Sequence, residues 1–157
     1  MRDGAHRRIV TSLGSDGRSC ILFDDAGGAV TEGGGTRVTL LWQSDASPAD
    51  NSGQADMASA FSFAFARGAT KFLIVEFAAD ANLVGPGMHA TNTLDYGILL
   101  SGRITLVTET GETKLEPGDL IVDRGVLHGW RNPGPGPAKM LFVNIDAAPV
   151  GGGATVG

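Results

Sequence analysis

The chain has 157 residues, 42% of them apolar, and this length and composition can supply the core of one ordinary domain. Its formal net charge of −5 disfavours binding to nucleic acid or to an anionic membrane surface, because phosphate groups require a basic protein surface. The single cysteine, Cys20, excludes an internal disulfide, and no apolar run reaches the length of a membrane span, so we expect a cytoplasmic protein.

Glycine is abundant, with 24 residues, and aromatic residues make up only 6%, which favours short strands and tight turns over long helices. The segments RRIVTSL (7–13) and SCILFDD (19–25) are predicted strands on either side of the turn sequence GSDG, and we expect them to pair. Cys20 is expected to be buried as a small hydrophobic residue. RVTLLW (37–42) is a further predicted strand.

The middle of the chain is less determined. Residues 43–54 form a predicted loop, because Pro, Asp, Asn, Ser and Gly dominate them. Residues 55–68 leave two alternatives open. Ala and Met favour a short helix, whereas the alternation of Phe61, Phe63 and Phe65 equally suits a strand.

The strand pattern becomes clearer from Lys71 onwards. KFLIVEF (71–77) is a predicted buried strand, and the next strand is expected to begin near His89 and to bend at Gly102. Turns are predicted at residues 82–88, 110–112 and 117–119, and further strands at 119–123 and 139–146. We therefore expect one all-β barrel domain over residues 1–148, followed by a flexible tail at 149–157.

Two short motifs, about thirty residues apart, lie within residues 85–132. The motif residues are His89, Thr91, Asp95 and Gly102 in the first, and Gly118, Asp119, Gly125, His128 and Asn132 in the second. A strand, a hairpin and another strand are predicted between them, so we expect His89, Asp95 and His128 to meet inside the barrel. Two imidazoles and a carboxylate at one place predict a functional site.

These motifs resemble the two cupin motifs, in the spacing of Asp95 and Gly102 and in the pattern Gly-x-x-His-x-x-x-Asn of residues 125–132. The runs HATNTLDYGILLSGRITL and EPGDLIVDRGVLHGWRNPGPGPAKMLFVNID resemble small bacterial single-cupin proteins, most of them without an assigned activity. The resemblance implies the RmlC-like cupin fold, an all-β double-stranded β-helix or jelly-roll barrel, and a homodimer.

The sequence departs from the family pattern at three positions. Thr91 stands where many cupins have their second metal-binding histidine, and Asp95 stands where they have glutamate. Asp123 replaces the proline that precedes Gly125 in the family motif.

Two neutral histidines and one carboxylate form the ligand set that holds iron, manganese or a similar divalent ion while leaving positions open for substrate. The resemblance thus predicts His89, Asp95 and His128 as ligands of a divalent metal (Fe, Mn, Ni or Zn). Thr91 is too weak a ligand to count as a fourth.

Without a metal, the same three residues can perform general acid–base catalysis, because an imidazole titrates near neutrality. In that interpretation Asp95 orients one of the two histidines and stabilises its cation.

Four neighbours are candidate substrate-binding residues: Thr91, Tyr96, Trp130 and Arg124. Thr91 or Tyr96 could donate a hydrogen bond to an oxyanion, although strand alternation places Tyr96 on the opposite face from Asp95. Trp130 shares the face of His128, where it can stack on a flat substrate or fill the mouth of the barrel. Arg124 could capture a carboxylate, although an arginine beside a turn usually lies in solvent.

Three functions remain, all with a small-molecule partner. The first is a lyase or isomerase of dehydratase or decarboxylase type, since the depleted ligand set preserves acid and base groups. The second is an iron- or manganese-dependent dioxygenase. The third is a non-catalytic cupin that binds a small ligand.

Overall fold

The structure is a computed structural model that describes residues 6–151. Its strands are β1 (Arg8–Leu13), β2 (Ser19–Asp25), β3 (Val30–Gly33), β4 (Thr36–Ser44), β5 (Thr70–Phe77), β6 (Thr93–Ser101), β7 (Ile104–Thr108), β8 (Gly111–Leu115), β9 (Leu120–Asp123), β10 (His128–Arg131) and β11 (Ala138–Asp146). A short 3₁₀ turn at Gly85–Gly87 is the one helical element of the described range. No helix there has the length and apolar content to cross a membrane.

The strands form three antiparallel sheets. Six strands lie in the order β3-β4-β5-β11-β6-β9, three in the order β10-β7-β8, and β1 pairs with β2. Isolated bridges at Asn82–Arg131 and His89–His128 join the three-stranded sheet to the segment that precedes β6. The predicted all-β jelly-roll barrel is confirmed.

The core lies between the six-stranded and three-stranded sheets, because both contribute buried residues to one cluster. The buried cluster contains Val38, Leu73, Phe77, Ala81, Leu99, Ile104, Leu115, Trp130, Ala138, Met140 and Phe142. Alternate residues of β5 and β11 face this cluster, as the two-residue period of a strand requires. Alternate apolar residues of these strands therefore form the inner wall of the barrel.

The N-terminal hairpin is attached to this barrel by one buried guanidinium. Arg8 on β1 is 6% exposed and donates hydrogen bonds to the carboxylates of Asp25 and Asp56 and to the carbonyl oxygen of Leu41 on β4. Its guanidinium carbon also lies 5.4 Å from the centre of the Phe23 ring. These contacts join β1, β2, β4 and the long loop after β4.

The strands predicted at 7–13, 19–25, 37–42, 71–77, 119–123 and 139–146 are all present, with small shifts of their ends. The open segment 55–68 is neither helix nor strand, but a succession of turns and bends. The predicted turn at 110–112 lies earlier, because β8 already begins at Gly111. The predicted tail falls mainly on residues 152–157, outside the described residues.

Two local expectations are wrong, and the orientation expected for Tyr96 is confirmed. The strand expected near His89 begins at Thr93, and His89 makes only an isolated bridge. Cys20 is exposed, because its strand belongs to the two-stranded hairpin and not to a covered sheet. Tyr96 lies on the outer face of β6 and is 47% exposed, as its alternation with the inward Asp95 requires.

Candidate functional site

A cavity of about 500 Å³ opens between the two large sheets. Its wall is mainly apolar, with Val38, Phe61, Phe63, Phe65, Leu73, Val75, Phe77, Leu83, Trp130 and Phe142. Its polar lining residues are Thr36, Lys71, His89, Thr91, Asn92, Thr93, Asp95, Asp123, His128 and Asn144. A mostly apolar pocket with a few convergent polar groups is the usual form of a small-molecule site.

His89 and His128 are brought together by a pair of backbone hydrogen bonds. The amide of each residue donates to the carbonyl oxygen of the other, with both distances at 2.9 Å. Their imidazole rings lie 4.6 Å apart, centre to centre. The predicted meeting of the two motif histidines is therefore present in the structure.

Gly125 allows the chain to reach this position. It has a φ of 75°, and a side chain there would lie 2.3 Å from the carbonyl oxygen of Thr91 and 3.0 Å from that of Thr93. The adjacent turn is held by Asp123, whose Oδ1 accepts hydrogen bonds from the amides of Gly125 and Val126. The motif glycine is thus required by a close approach of two backbones.

His128 is paired with Asp123. Its Nδ1 lies 2.8 Å from Asp123 Oδ2 and 2.9 Å from the carbonyl oxygen of Val126, and both paired side chains are 5% exposed. The ring N–H is directed at Val126, so we interpret the contact with Asp123 as an ion pair that lies off the N–H axis. With Nδ1 engaged, Nε2 is the nitrogen that a ligand can reach.

The two imidazoles differ in their preferred charge. Burial alone would lower the pKa of His128, but the contact with the Asp123 carboxylate outweighs it and raises that pKa above 6.5. Burial, followed by repulsion from His128, lowers the pKa of His89. Asp123 keeps a lowered pKa, because its interactions with His128 outweigh the effect of its own burial. Because the pKa values of His89 and His128 are shifted in opposite directions, the two imidazoles are suited to act as a base and an acid.

Asp95 lies beside this pair without joining it. In the sheet register it is opposite Asp123 on β9 and Asn144 on β11, and its buried Oδ1 has no hydrogen-bond partner in the part of the chain that the structure describes. Burial raises the pKa of its carboxyl. The expectation that Asp95 orients an imidazole is corrected, since the carboxylate that contacts His128 is Asp123.

The three predicted metal ligands, His89, Asp95 and His128, all line the cavity, but their side chains are not grouped around one common point. Within residues 6–151, no three His, Cys, Asp or Glu side chains are grouped so that they could hold a metal ion. Metal binding by His89, Asp95 and His128 stays a prediction.

Two of the four predicted substrate-binding residues line the cavity, and two do not. Thr91 lies in the wall, where its Oγ1 is 2.7 Å from that of Thr93, and Trp130 is 5% exposed with its ring 5.8 Å from that of His128. Arg124 is exposed outside the lining, because the turn after β9 points its side chain to solvent. Tyr96 is not part of the cavity lining, because its side chain points outward.

Sequence reasoning missed Asp123 and Lys71. Asp123 was visible as a carboxylate in place of the motif proline, five residues before His128. Lys71 was visible as a cation on the same face of the predicted strand KFLIVEF as the apolar residues that face the core, because it precedes Leu73 by two positions. Neither position identified its contacts, because those depend on how the neighbouring turn (residues 124–127) and the irregular segment (residues 61–65) fold back over the cavity.

The sequence matches the cupin domain family model over residues 73–144. Phomopsin biosynthesis cluster protein D of Diaporthe leptostromiformis is 34% identical, over 91% of this chain and 79% of that protein. The cupin-domain-containing oxidoreductase fogC of Aspergillus ruber is 30% identical, over 88% of this chain and 71% of that protein. A solved Cupin 2 conserved barrel domain protein from Salinispora arenicola shares the fold with a TM-score of 0.52 at 17% identity, over 76% of this chain and 82% of that one.

These relatives correct one expectation. The likeness to bacterial single-domain proteins is not supported, because the curated relatives are fungal. The bacterial structure is too distant in sequence to show more than the shared fold.

Proposed function

Because the chain belongs to the cupin superfamily, we propose that it is an enzyme, a lyase or isomerase that acts on a small molecule by acid–base chemistry. The observation that carries this proposal is the pair of imidazoles 4.6 Å apart in a mainly apolar cavity, one of them held by a carboxylate. A reaction that moves a proton between two positions of a substrate requires at least one acid and one base within reach of that substrate.

In a dehydration, His89 is the base and His128 the acid. The neutral imidazole of His89 takes the proton from the carbon next to a carbonyl group, and the electron pair of that C–H bond forms the new double bond. The Nε2–H of His128 protonates the hydroxyl group on the next carbon, the C–O bond breaks, and water leaves. Asp123 stabilises the imidazolium before the transfer, and proton exchange with solvent restores both histidines.

An isomerisation needs the same two residues. His89 removes the proton, and an imidazolium returns one to a different carbon, so that a double bond moves without loss of atoms. The apolar wall, with Trp130 beside His128, would exclude water from the carbanion and pack against the substrate.

The fungal relatives support an enzymatic role. Their names place them in phomopsin biosynthesis or describe them as oxidoreductases, which favours chemistry on small molecules over a purely structural role.

The proposal is tested by replacing the acid. In His128→Ala, we expect turnover of a β-hydroxy carbonyl substrate to fall by about 10²- to 10⁴-fold, the usual contribution of a general acid or base. His6→Ala is the matched control, because this histidine contacts Glu76 outside the cavity lining. Unchanged turnover in His128→Ala would contradict the assignment, and ligand binding without turnover by the wild type would favour the non-catalytic alternative.

A metal-dependent oxygenase is the second candidate, and the word oxidoreductase in the names of relatives favours it. Two imidazoles in one cavity are part of the ligand set of non-haem iron. The metal content of the purified protein separates the two candidates. Near-stoichiometric iron or manganese, together with oxygen consumption in the presence of substrate, would reverse the order.

A further inference from the structure

A polar row crosses the inner wall of the six-stranded sheet. Lys71 on β5 is directly opposite Asn144 on β11, Asn144 is opposite Asp95 on β6, and Asp95 is opposite Asp123 on β9. All four side chains line the cavity. Neighbouring strands are about 4.8 Å apart, so the row extends over roughly 14 Å from Lys71 to Asp123, which contacts His128.

The same wall is apolar one step further along the strands. Two residues on, the cross-strand set is Leu73, Phe142, Gly97 and Ile121. The row therefore has a cation at one end, the acid–base pair at the other, and an apolar surface along its length.

Lys71 is buried, and within residues 6–151 its ammonium group makes hydrogen bonds to backbone carbonyl groups only. The residue is 4% exposed, and its Nζ donates hydrogen bonds to the carbonyl oxygens of Ser62 and Ala64, the latter at 2.7 Å. Nζ also lies 4.5 Å from the centre of the Phe65 ring and 5.5 Å from that of Phe61. An ammonium has three donors, and the structure gives carbonyl acceptors to two of them.

No protein carboxylate balances this cation in the described part of the chain. The ion pairs found there do not include Lys71, and Asp95 is two strands away in the register, with Asn144 between them. At the other end of the row, His128 and Asp123 compensate one another. Burial lowers the pKa of Lys71, which is the expected result for an ammonium that has lost water without gaining an anion.

We propose that Lys71 binds a carboxylate group of the substrate, and thereby holds the reactive part of an otherwise apolar molecule beside His89 and His128. This inference rests on the proposed function and names its substrate class. The aromatic residues around Lys71 exclude water from the carboxylate, so its ion pair with the ammonium is stronger than it would be in solvent.

A purely structural Lys71 makes a different prediction. If its ammonium serves only to hold residues 61–65 over the cavity, its removal should weaken all ligands alike or lower stability, without a preference for anionic ones. The charge of the ligand therefore separates the two roles.

The test uses isothermal titration calorimetry with 2-naphthoate and its neutral analogue 2-naphthamide. The wild type should bind the naphthoate at least roughly tenfold more tightly, since a charge-assisted hydrogen bond contributes about that much. In Lys71→Met and in Lys71→Gln, which keeps donors for the two backbone carbonyls, naphthoate affinity should fall roughly tenfold while naphthamide affinity changes less than about twofold. Lys139→Met is the control, because this lysine pairs with Glu76 away from the cavity.

Equal affinity of the wild type for the two compounds, or no binding of naphthoate, would overturn the proposal without any variant. An equal loss of both ligands in the Lys71 variants would also overturn it. Because binding requires no turnover, the result is independent of the His128→Ala assay, and either inference can fail alone.

Discussion

His128 and Asp123 show how one contact sets the charge of a site residue. The imidazole is buried, which by itself disfavours its cation, yet a carboxylate 2.8 Å away reverses the preference. The pair stabilises the fold while Asp123 is ionised and His128 is protonated. This stabilisation is lost as pH rises through the raised pKa of His128 above 6.5, and also as pH falls through the lowered pKa of Asp123 below 3.8.

Replacing Asp123 by asparagine should lower the pKa of His128, because burial then acts without the opposing charge. NMR titration of the imidazole resonances measures this directly, and His89 should titrate below His128 in the wild type. Asp119→Asn is the control, since that carboxylate accepts a hydrogen bond from the amide of Glu116 in an exposed turn. An unchanged pKa in Asp123→Asn would show that the backbone carbonyl of Val126 alone governs the ring.

The site residues were partly readable from sequence. His89 and His128 were found because they occupy motif positions, and the closeness of their rings follows from the strand–hairpin–strand pattern between them. Asp123 was seen only as a departure from a motif, because no sequence rule says which of two opposed carboxylates, Asp95 or Asp123, reaches the imidazole. That choice depends on the turn between β9 and β10, which directs the Asp123 side chain toward His128.

The turn between β9 and β10 depends on a single glycine. Gly125→Ala should destabilise the fold by roughly 3 kcal/mol or more, because a methyl group would collide with the backbone of Thr91 and because L residues disfavour positive φ. Gly17→Ala measures the cost of the positive φ alone, since Gly17 has the same φ of 75° but no neighbouring atoms that a methyl group would meet. We expect that variant to lose only about 1 kcal/mol. Urea denaturation measures both, and equal losses would rule out the steric argument.

The N-terminal hairpin is an element whose attachment depends on one side chain. Arg8→Ala should lower the free energy of unfolding by roughly 2 to 3 kcal/mol, less than a fully buried pair because Asp25 and Asp56 remain partly in solvent. Arg7→Ala is the matched control, since its pair with Asp24 is about half exposed and should contribute little. A loss as small as that of the control would show that apolar contacts alone hold the hairpin.

The same cluster predicts a pH dependence. Hydrogen bonds from Arg8 lower the pKa values of Asp25 and Asp56, so their contribution to stability is present above the unfolded value near 3.9 and is lost as pH falls through the folded values. The stability difference between wild type and Arg8→Ala should therefore be constant near neutrality and shrink below about pH 4. A difference that persists at pH 3 would assign the effect to packing.

At the scale of the whole molecule, β9 forms one edge of the six-stranded sheet, and no strand of residues 6–151 pairs with its outer side. Leu120 is 76% exposed and Val122 62% exposed, and Val122 lies opposite the outward-facing Tyr96. An exposed edge strand of this kind is either protected or used for association, and we propose that it forms the interface of a homodimer.

Light scattering after size exclusion should accordingly give twice the mass of the chain. Leu120→Lys should produce a monomer with an unchanged fold, because it places a charge in the interface. Ile21→Lys, at a residue 59% exposed on the separate N-terminal hairpin, should leave the dimer intact. A monomeric wild type, or a dimer that survives Leu120→Lys, would exclude this interface.

The all-β class, the positions of most strands and the pairing of His89 with His128 could be derived from the sequence, because alternation, turn residues and motif spacing are local and have a fixed period. A loop at residues 43–54 was also predicted, but the path of the whole loop, residues 45–69, could not be derived. Phe61 and Phe65 are placed by contacts with Lys71 and the core, and not by a pattern of their own. Tertiary structure alone therefore decided that Asp123 pairs with the imidazole, that Tyr96 and Arg124 lie outside the cavity, and that Lys71 enters it as a buried cation. Each of these outcomes depends on how a turn or loop without a periodic pattern is directed by the closed barrel, and no local sequence rule specifies that direction.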